Sequence, residues 1–160
     1  MKEKILEVLQ NAFPGTEFEV YEFHGDLRLK FPAELVVPVA DILKNDPELA
    51  FDLLEDVTGI DWATRKNRFS VVYHVFSIKN SFRLRFTVDV DDETLHVDTV
   101  TGIWLSANWY ERETYDMYGI KFTNHPDLRR MYMPEEYEYH PLRKDYPLMG
   151  IPGDLSLPKK

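Results

Sequence analysis

Two phrases in the last third of the chain hold the side chains best equipped for chemistry. "HPDLRRM" (125–131) opens with His125-Pro126 and carries Asp127, Arg129 and Arg130. "HPLRKDYPL" (140–148) opens with His140-Pro141 and carries Arg143, Lys144 and Asp145. Upstream, "YERETYD" (110–116) places Glu111, Glu113 and Asp116 around Arg112. Three chemistries fit these residue types. Two histidines with Asp127 and Asp145 have the donors of a metal centre or an acid/base pair. Arg129, Arg130, Arg143 and Lys144 could hold an anion. The same cations, set among Tyr132, Tyr137, Tyr139 and Tyr146, could dock on another protein, because Arg and Tyr dominate interface energetics.

Spacing weighs against the first two. The histidines match no compact ligand motif such as H-E-x-x-H. A residue before proline is held extended, which suits a hydrogen-bonded turn as well as a ligand. No glycine-rich loop accompanies the cations to cradle a nucleotide. Docking accounts for more of the pattern: prolines pre-set the backbone and reduce the entropy lost on ordering against a partner. In the acidic cluster, Arg112 and Asp116 are four apart and should pair on a helix. Glu111 and Glu113 point apart, about 100° per residue. Glu111 shares a face with Ala107, Tyr115 and Tyr118, so it should be buried and need a partner. The arginines of the repeated phrases are the expected partners. Such pairing within the chain is compatible with docking.

Composition narrows the setting. A chain of 160 residues, 44% of them hydrophobic, can form one domain burying roughly 68–70% of its unfolded surface. No apolar run reaches the ~20 residues of a membrane helix. The absence of cysteine excludes disulfides, thiolate catalysis and cysteine-ligated metal or iron–sulfur sites. Net charge is −9. Residues 1–60 hold 5 basic and 13 acidic residues (5 − 13 = −8), and residues 61–160 hold 14 and 15 (14 − 15 = −1). So acidic a chain is a poor nucleic-acid ligand. It reads as soluble and cytoplasmic, reaching a membrane only through partners.

These residues must be positioned by a modest set of elements. "KEKILEVLQNAF" has helical spacing and ends at Pro14-Gly15. A hairpin should turn at His24-Gly25-Asp26, and a second helix should follow over 33–43 with Pro38 in its first turn or at a kink. "FDLLEDVTGIDW" (51–62) fits helix or strand. The segments 68–78 and 82–90 alternate as a half-buried antiparallel hairpin around 79–81, and 91–93 turns the chain. His74 is read as a sheet residue. A helix is expected from about Thr101 to Tyr118, stopped by Gly119. It carries Trp104 and Trp109 on different sides, one for the core. Six of the ten prolines lie in 126–158, so irregular structure is expected there. The fold class is α+β: a single domain of antiparallel sheet flanked by helices over 1–120, with an extended Pro-rich arm over 121–160.

Residues 107–148 resemble the signature of the C subunit, the 30 kDa subunit family, of proton-pumping NADH–quinone oxidoreductase (respiratory complex I). The likeness rests on ERE-x-x-D, G-I-x-F, HPDLRR and HPLRKDYPL in order, and extends more weakly through "LLEDVTGIDW" and "RFSVVYHVFS". Tyr139 departs from it, standing before the second His-Pro where the family usually has Gly. The resemblance implies a peripheral-arm subunit with no redox centre or catalytic residue of its own. FMN, iron–sulfur clusters and quinone would belong to partner subunits, chiefly the quinone-site D subunit on which this chain would dock. It would place the chain on the cytoplasmic side of the plasma membrane. A homologous subunit of a membrane-bound hydrogenase, of formate hydrogenlyase, or of a dehydrogenase of the reduced coenzyme F420 shares the signature. Glu111, Arg112, Glu113, Asp116, His125, Pro126, Asp127, Arg129, Arg130, His140, Pro141, Arg143, Lys144 and Asp145 are its signature positions. They are expected to be structural and interfacial, with the two phrases laid as two clasps along a neighbouring subunit.

Overall fold

A computed structural model describes residues 1–91 and 93–147. Asp92 and the end of the expected arm, 148–160, lie outside the described residues. Helix α1 (Lys2–Ala12) turns Ile5 and Leu9 inward. Strands β1 (Glu19–Phe23) and β2 (Asp26–Lys30) form the expected hairpin. A 3₁₀ turn (Ala33–Leu35) leads into α2 (Val36–Asn45), and Pro38 sits in its first turn, where a missing N–H is tolerated. Asp46 then closes the turn, its carboxylate accepting the N–H groups of Glu48 and Leu49.

The ambiguous stretch is a strand, β3 (Leu53–Asp61). It pairs antiparallel with β4 (Phe69–Ser77), which in turn pairs antiparallel with β5 (Phe82–Val90). The sheet order is β1-β2-β5-β4-β3, and β2 runs parallel to β5. The sheet is therefore mixed, where an antiparallel one was expected. Hairpins declare their own partners locally, but β2 and β5 meet only through a crossover carrying α2, β3 and β4, a pairing no local pattern announces. Leu27, Leu29, Leu84, Phe86, Val88, Tyr73, Val75 and Val57 point to one face. They join Ile5, Leu9, Val36, Val39, Leu43 and Ala107 in a single buried cluster. Within it the rings of Tyr73 and Phe86 stack at 4.6 Å. All three helices thus lie on one side of the sheet.

Helix α3 spans Ala107–Tyr118, beginning later than the sequence suggested. The Thr99 hydroxyl accepts the Thr101 N–H. Tight turns follow, with Ile103 and Trp104 both donating to the Val100 carbonyl. They seat buried Trp104, whose Nε1–H donates to the Phe51 carbonyl at 3.0 Å. Trp104 is the core tryptophan, and Trp109 stands 60% exposed. Strand β3 is a sheet edge, and α3 lies along it. The hydroxyls of Ser106 and Thr114 donate to the Leu54 and Val57 carbonyls at 3.2 and 3.1 Å, covering an edge that would otherwise invite pairing. Gly59 permits this approach, since a Cβ there would meet the Tyr118 ring at 2.6 Å. Beyond α3, β7 (Lys121–Thr123) pairs parallel with β6 (His96–Asp98), so regular structure continues briefly past Gly119. From 124 to 147 the chain has neither helix nor strand.

Candidate functional site

The site is organised by the two ends of α3. A helix leaves its last carbonyls without intrahelical donors. Here Gly119, at φ 77°, returns its N–H to Tyr115 O at 2.8 Å. The second His-Pro phrase supplies the remaining donors. His140 Nδ1–H donates to Asp116 O (2.9 Å), the Leu142 N–H to Met117 O (3.1 Å) and Arg143 Nε–H to Tyr118 O (2.6 Å). A guanidinium at this end also complements the helix dipole. The first phrase works nearer the other end. The Asp127 N–H donates to His125 Nδ1 (3.0 Å), which leaves the proton on Nε2 to donate to Asn108 O (3.2 Å). Arg112 reaches the other way, Nε–H donating to the Arg129 carbonyl at 3.2 Å. Both copies pack on the chain's own helix: the first runs along it from Asn108 to Asp116, and the second holds its C-terminal end.

Asp116 is the hub between the copies. Its carboxylate accepts Arg130 Nη1–H at 2.8 Å, and Oδ2 gathers the N–H groups of Met131, Tyr132 and Met133 at 3.0, 2.7 and 3.0 Å. Three successive amides converging on one oxygen form an anion-binding nest. Burial pushes the Asp116 carboxyl up, but these donors outweigh it and hold the group below the usual carboxylate range. Arg130 also donates to the Tyr139 carbonyl (3.1 Å), tying the first phrase to the approach of the second. The expected Arg112–Asp116 pair does not form, because Asp116 finds four donors across the turn. Tyr139 keeps φ out of the left-handed region, so it carries no backbone strain.

Glu111 is buried as expected, but its partners are not arginines. Oε1 accepts the Val100 N–H at 2.8 Å, and Oε2 accepts the Thr99 hydroxyl. His125 Nε2 lies 3.8 Å from Oε2. Burial raises the Glu111 carboxyl to about 7, against the lowering by Thr99 and Val100. Burial also lowers the His125 and His140 imidazoles, keeping both rings neutral near neutral pH. Glu113 is only half-buried and makes no hydrogen bond among the described residues.

The second phrase is also anchored to the sheet. Lys144 contributes its main chain, its N–H donating to Asp61 Oδ2 at 2.7 Å. Asp61, at the end of β3, also accepts Arg68 Nε–H and Nη2–H (2.8 and 2.6 Å) and the Ala63 N–H (2.8 Å). Arg68 Nη1–H reaches Asp145 at 2.9 Å. The Arg68 guanidinium holds Asp61 far below the usual carboxylate range. Sequence reasoning did not single out Asp61, Arg68 or Thr99. The first two lie in "LLEDVTGIDW" and "RFSVVYHVFS", stretches whose likeness to the family was noted without naming residues. Asp127 pairs locally with Arg129 at 2.9 Å, both exposed.

This arrangement holds a helix. His125 and His140 are spent on main-chain carbonyls at different ends of α3. No group of three or more metal-ligating side chains occurs among the described residues. Outside the clasps, Leu105, Trp109 and Tyr132 remain exposed, with the Arg112 guanidinium 4.9 Å from the Trp109 ring. No helix among the described residues is long and apolar enough to cross a membrane.

Comparison with known proteins matches residues 29–152 to the family described as the 30 Kd subunit of respiratory-chain NADH dehydrogenase. The C subunit of NADH-quinone oxidoreductase from Roseiflexus sp. (strain RS-1) is 48% identical over 144 residues, covering 90% of this chain and 83% of the relative. A solved trypsin-resistant fragment of Nqo5 superposes with a TM-score of 0.64 at 33% identity, covering 79% of this chain and 98% of the fragment. The membrane-bound sulfane sulfur reductase, an archaeal respiratory membrane complex, contains a chain of the same fold. Its TM-score is 0.73 at 23% identity, covering 92% of this chain and 86% of that one.

Proposed function

Because this chain belongs to the 30 kDa subunit family of respiratory-chain NADH dehydrogenase, we propose that it docks on the quinone-site D subunit of an NADH–quinone oxidoreductase. There it supports electron transfer from NADH to quinone without a redox centre or active site of its own. FMN and the iron–sulfur clusters are held by other subunits, and the chain faces the cytoplasm, meeting the membrane through its partners. The match across residues 29–152 carries this reading. The geometry supports it: Glu111, Asp116, His125 and His140 are engaged within the chain, leaving Leu105, Trp109 and Tyr132 outside as large anchors, Trp109 beside a cation. The fold likeness to the sulfane sulfur reductase complex is compatible with hydrogenase-type assemblies, but 48% identity to a C subunit of NADH-quinone oxidoreductase favours the latter enzyme.

The test is co-expression of the full chain with the quinone-site partner of the same organism, read by size-exclusion chromatography. The wild-type chain should co-elute. A Trp109→Ala, Tyr132→Ala double variant should lose co-elution while melting like wild type, since both side chains are exposed. A wild-type chain that never co-elutes with the quinone-site partner sinks the docking assignment.

A further inference from the structure

The face of the sheet opposite the helices carries a row of polar side chains in strict cross-strand register. It runs from Tyr21 on β1 through Arg28 on β2, Arg85 on β5 and His74 on β4 to Asp56 on β3. Two cations on this face have a carboxylate, and the His74 imidazole lies beside another. Lys30 pairs with Asp89 at 2.7 Å, Arg83 with Glu55 at 2.6 Å and His74 with Asp56 at 3.6 Å. Arg28 and Arg85 have none: among the described residues no carboxylate lies within ion-pairing distance of either. The parallel pairing of β2 and β5 sets them directly opposite each other, a destabilising arrangement for like charges. Arg28 Nε is buried and without a hydrogen-bond partner, and its guanidinium lies 4.3 Å from the ring of Phe23. Burial, then the neighbouring Arg28, lower the Arg85 guanidinium.

A chain of net charge −9 thus leaves two opposed guanidiniums without an ion-paired carboxylate among the described residues, near the middle of its open sheet face, with Asp26 acting on Arg85 only from beyond ion-pairing distance. Beside them Tyr21 and Phe23 are each 49% exposed. Guanidinium forks bind carboxylates in bidentate fashion, and exposed aromatic rings beside them supply apolar contact. We propose that this face is a docking surface for an acidic segment of a neighbouring subunit, whose carboxylates sit between Arg28 and Arg85. This rests on the reading of the chain as a component of a larger assembly. It concerns the face remote from α3 and from the clasps.

The test uses the assembled complex purified through a tag on this chain, with Arg28→Gln and Arg85→Gln introduced together. The isolated double variant should melt at or above the wild-type temperature, because a repulsive pair has been removed. Its retention in the complex should weaken by at least about tenfold and fail at lower salt, because buried partner carboxylates lose their counter-charges. A photo-crosslinking residue in place of Thr87, on the same face, should attach to a neighbouring subunit's segment containing Asp or Glu. Wild-type retention by the double variant overturns the proposal, as does a crosslink to a segment without acids. A fall in melting temperature large enough to explain the loss makes the pair structural and overturns it too. If the tagged wild-type chain brings down no other subunit, the assembly reading fails first and this proposal falls with it. If other subunits are recovered without the quinone-site one, only the choice of docking partner fails.

Discussion

Asp116 and Arg130 meet at 2.8 Å across the turn that returns the chain along α3, and the carboxylate between them is fully buried. The same carboxylate collects three main-chain N–H groups, from residues 131 to 133. Removing it therefore does more than break an ion pair. It leaves a guanidinium whose side chain is 8% exposed with only the Tyr139 carbonyl, and three amides that have no other acceptor among the described residues.

Asp116→Ala should accordingly destabilise the isolated chain by about 3–5 kcal/mol, the range for breaking one side of a buried pair. Glu113→Ala, three residues earlier, should stay within about 0.5 kcal/mol of wild type, because that half-buried carboxylate makes no hydrogen bond among the described residues. Denaturant unfolding of the two variants side by side measures both. Equal losses would mean that Asp116 is not the hub described.

The helices and hairpins were legible because their signals are local. Leu84, Phe86, Val88 and Val90 alternate along β5, and Ile5 and Leu9 recur one turn apart on α1. What escaped was set by partners distant in sequence. The run 51–62 became a strand because β4 was there to pair with it, and the parallel join of β2 to β5 has no local mark. At the site, the helical i,i+4 rule suggested Arg112 for Asp116, and the need to pair a buried carboxylate suggested an arginine for Glu111. Asp116 took Arg130, an arginine of the repeated phrase, together with the N–H groups of residues 131–133, and Glu111 took the N–H of Val100 and the Thr99 hydroxyl. Every residue except proline offers a main-chain N–H, so no residue type advertises that part of the pairing.

Glu111 should give the stability a pH slope of unusual sign. Its folded-state value, about 7, lies above the ordinary 4.5. Between those values the native chain holds a proton the unfolded chain has released, so stability falls as pH rises. The difference of 2.5 units (7 − 4.5) corresponds to about 3 kcal/mol. The lowered His125 and His140 act oppositely, adding stability as pH rises toward 6.5, so the comparison must be with Glu111→Gln. The stability of wild type minus that of the variant should drop by a few kcal/mol between pH 4.5 and 7.5 or so. A flat difference would show that Glu111 is not buried as a neutral acid.

Gly119→Ala tests the second clasp. An L-residue at φ 77° costs about 1–2 kcal/mol. The added Cβ would also lie 2.6 Å from His140 Nε2 and 2.4 Å from Arg143 Nη2. Arg143 can swing its far end aside, but His140 is fixed by its bond to Asp116 O. The loss should therefore exceed the conformational figure alone. Gly102→Ala, where a Cβ meets nothing within 4 Å, is the control and should be near neutral. Thermal melting of the pair gives the comparison.

Arg68 separates a buried carboxylate from an exposed one. Its side chain bridges Asp61, with no exposed side-chain surface, and Asp145, whose side chain is 58% exposed. Asp145→Ala should be nearly silent, as exposed pairs are. Asp61→Ala should destabilise by about 3–5 kcal/mol and release the Lys144 N–H, whose hydrogen exchange should accelerate with it. Because Arg68 and the surrounding N–H groups depress the Asp61 value, the contribution is complete above the ordinary 3.8 and is lost as pH falls below it. The wild-type advantage over Asp61→Ala should hold steady at neutral pH and shrink only in acid. Unaltered exchange at Lys144 in Asp61→Ala would show that the second phrase is held to the domain by α3 alone.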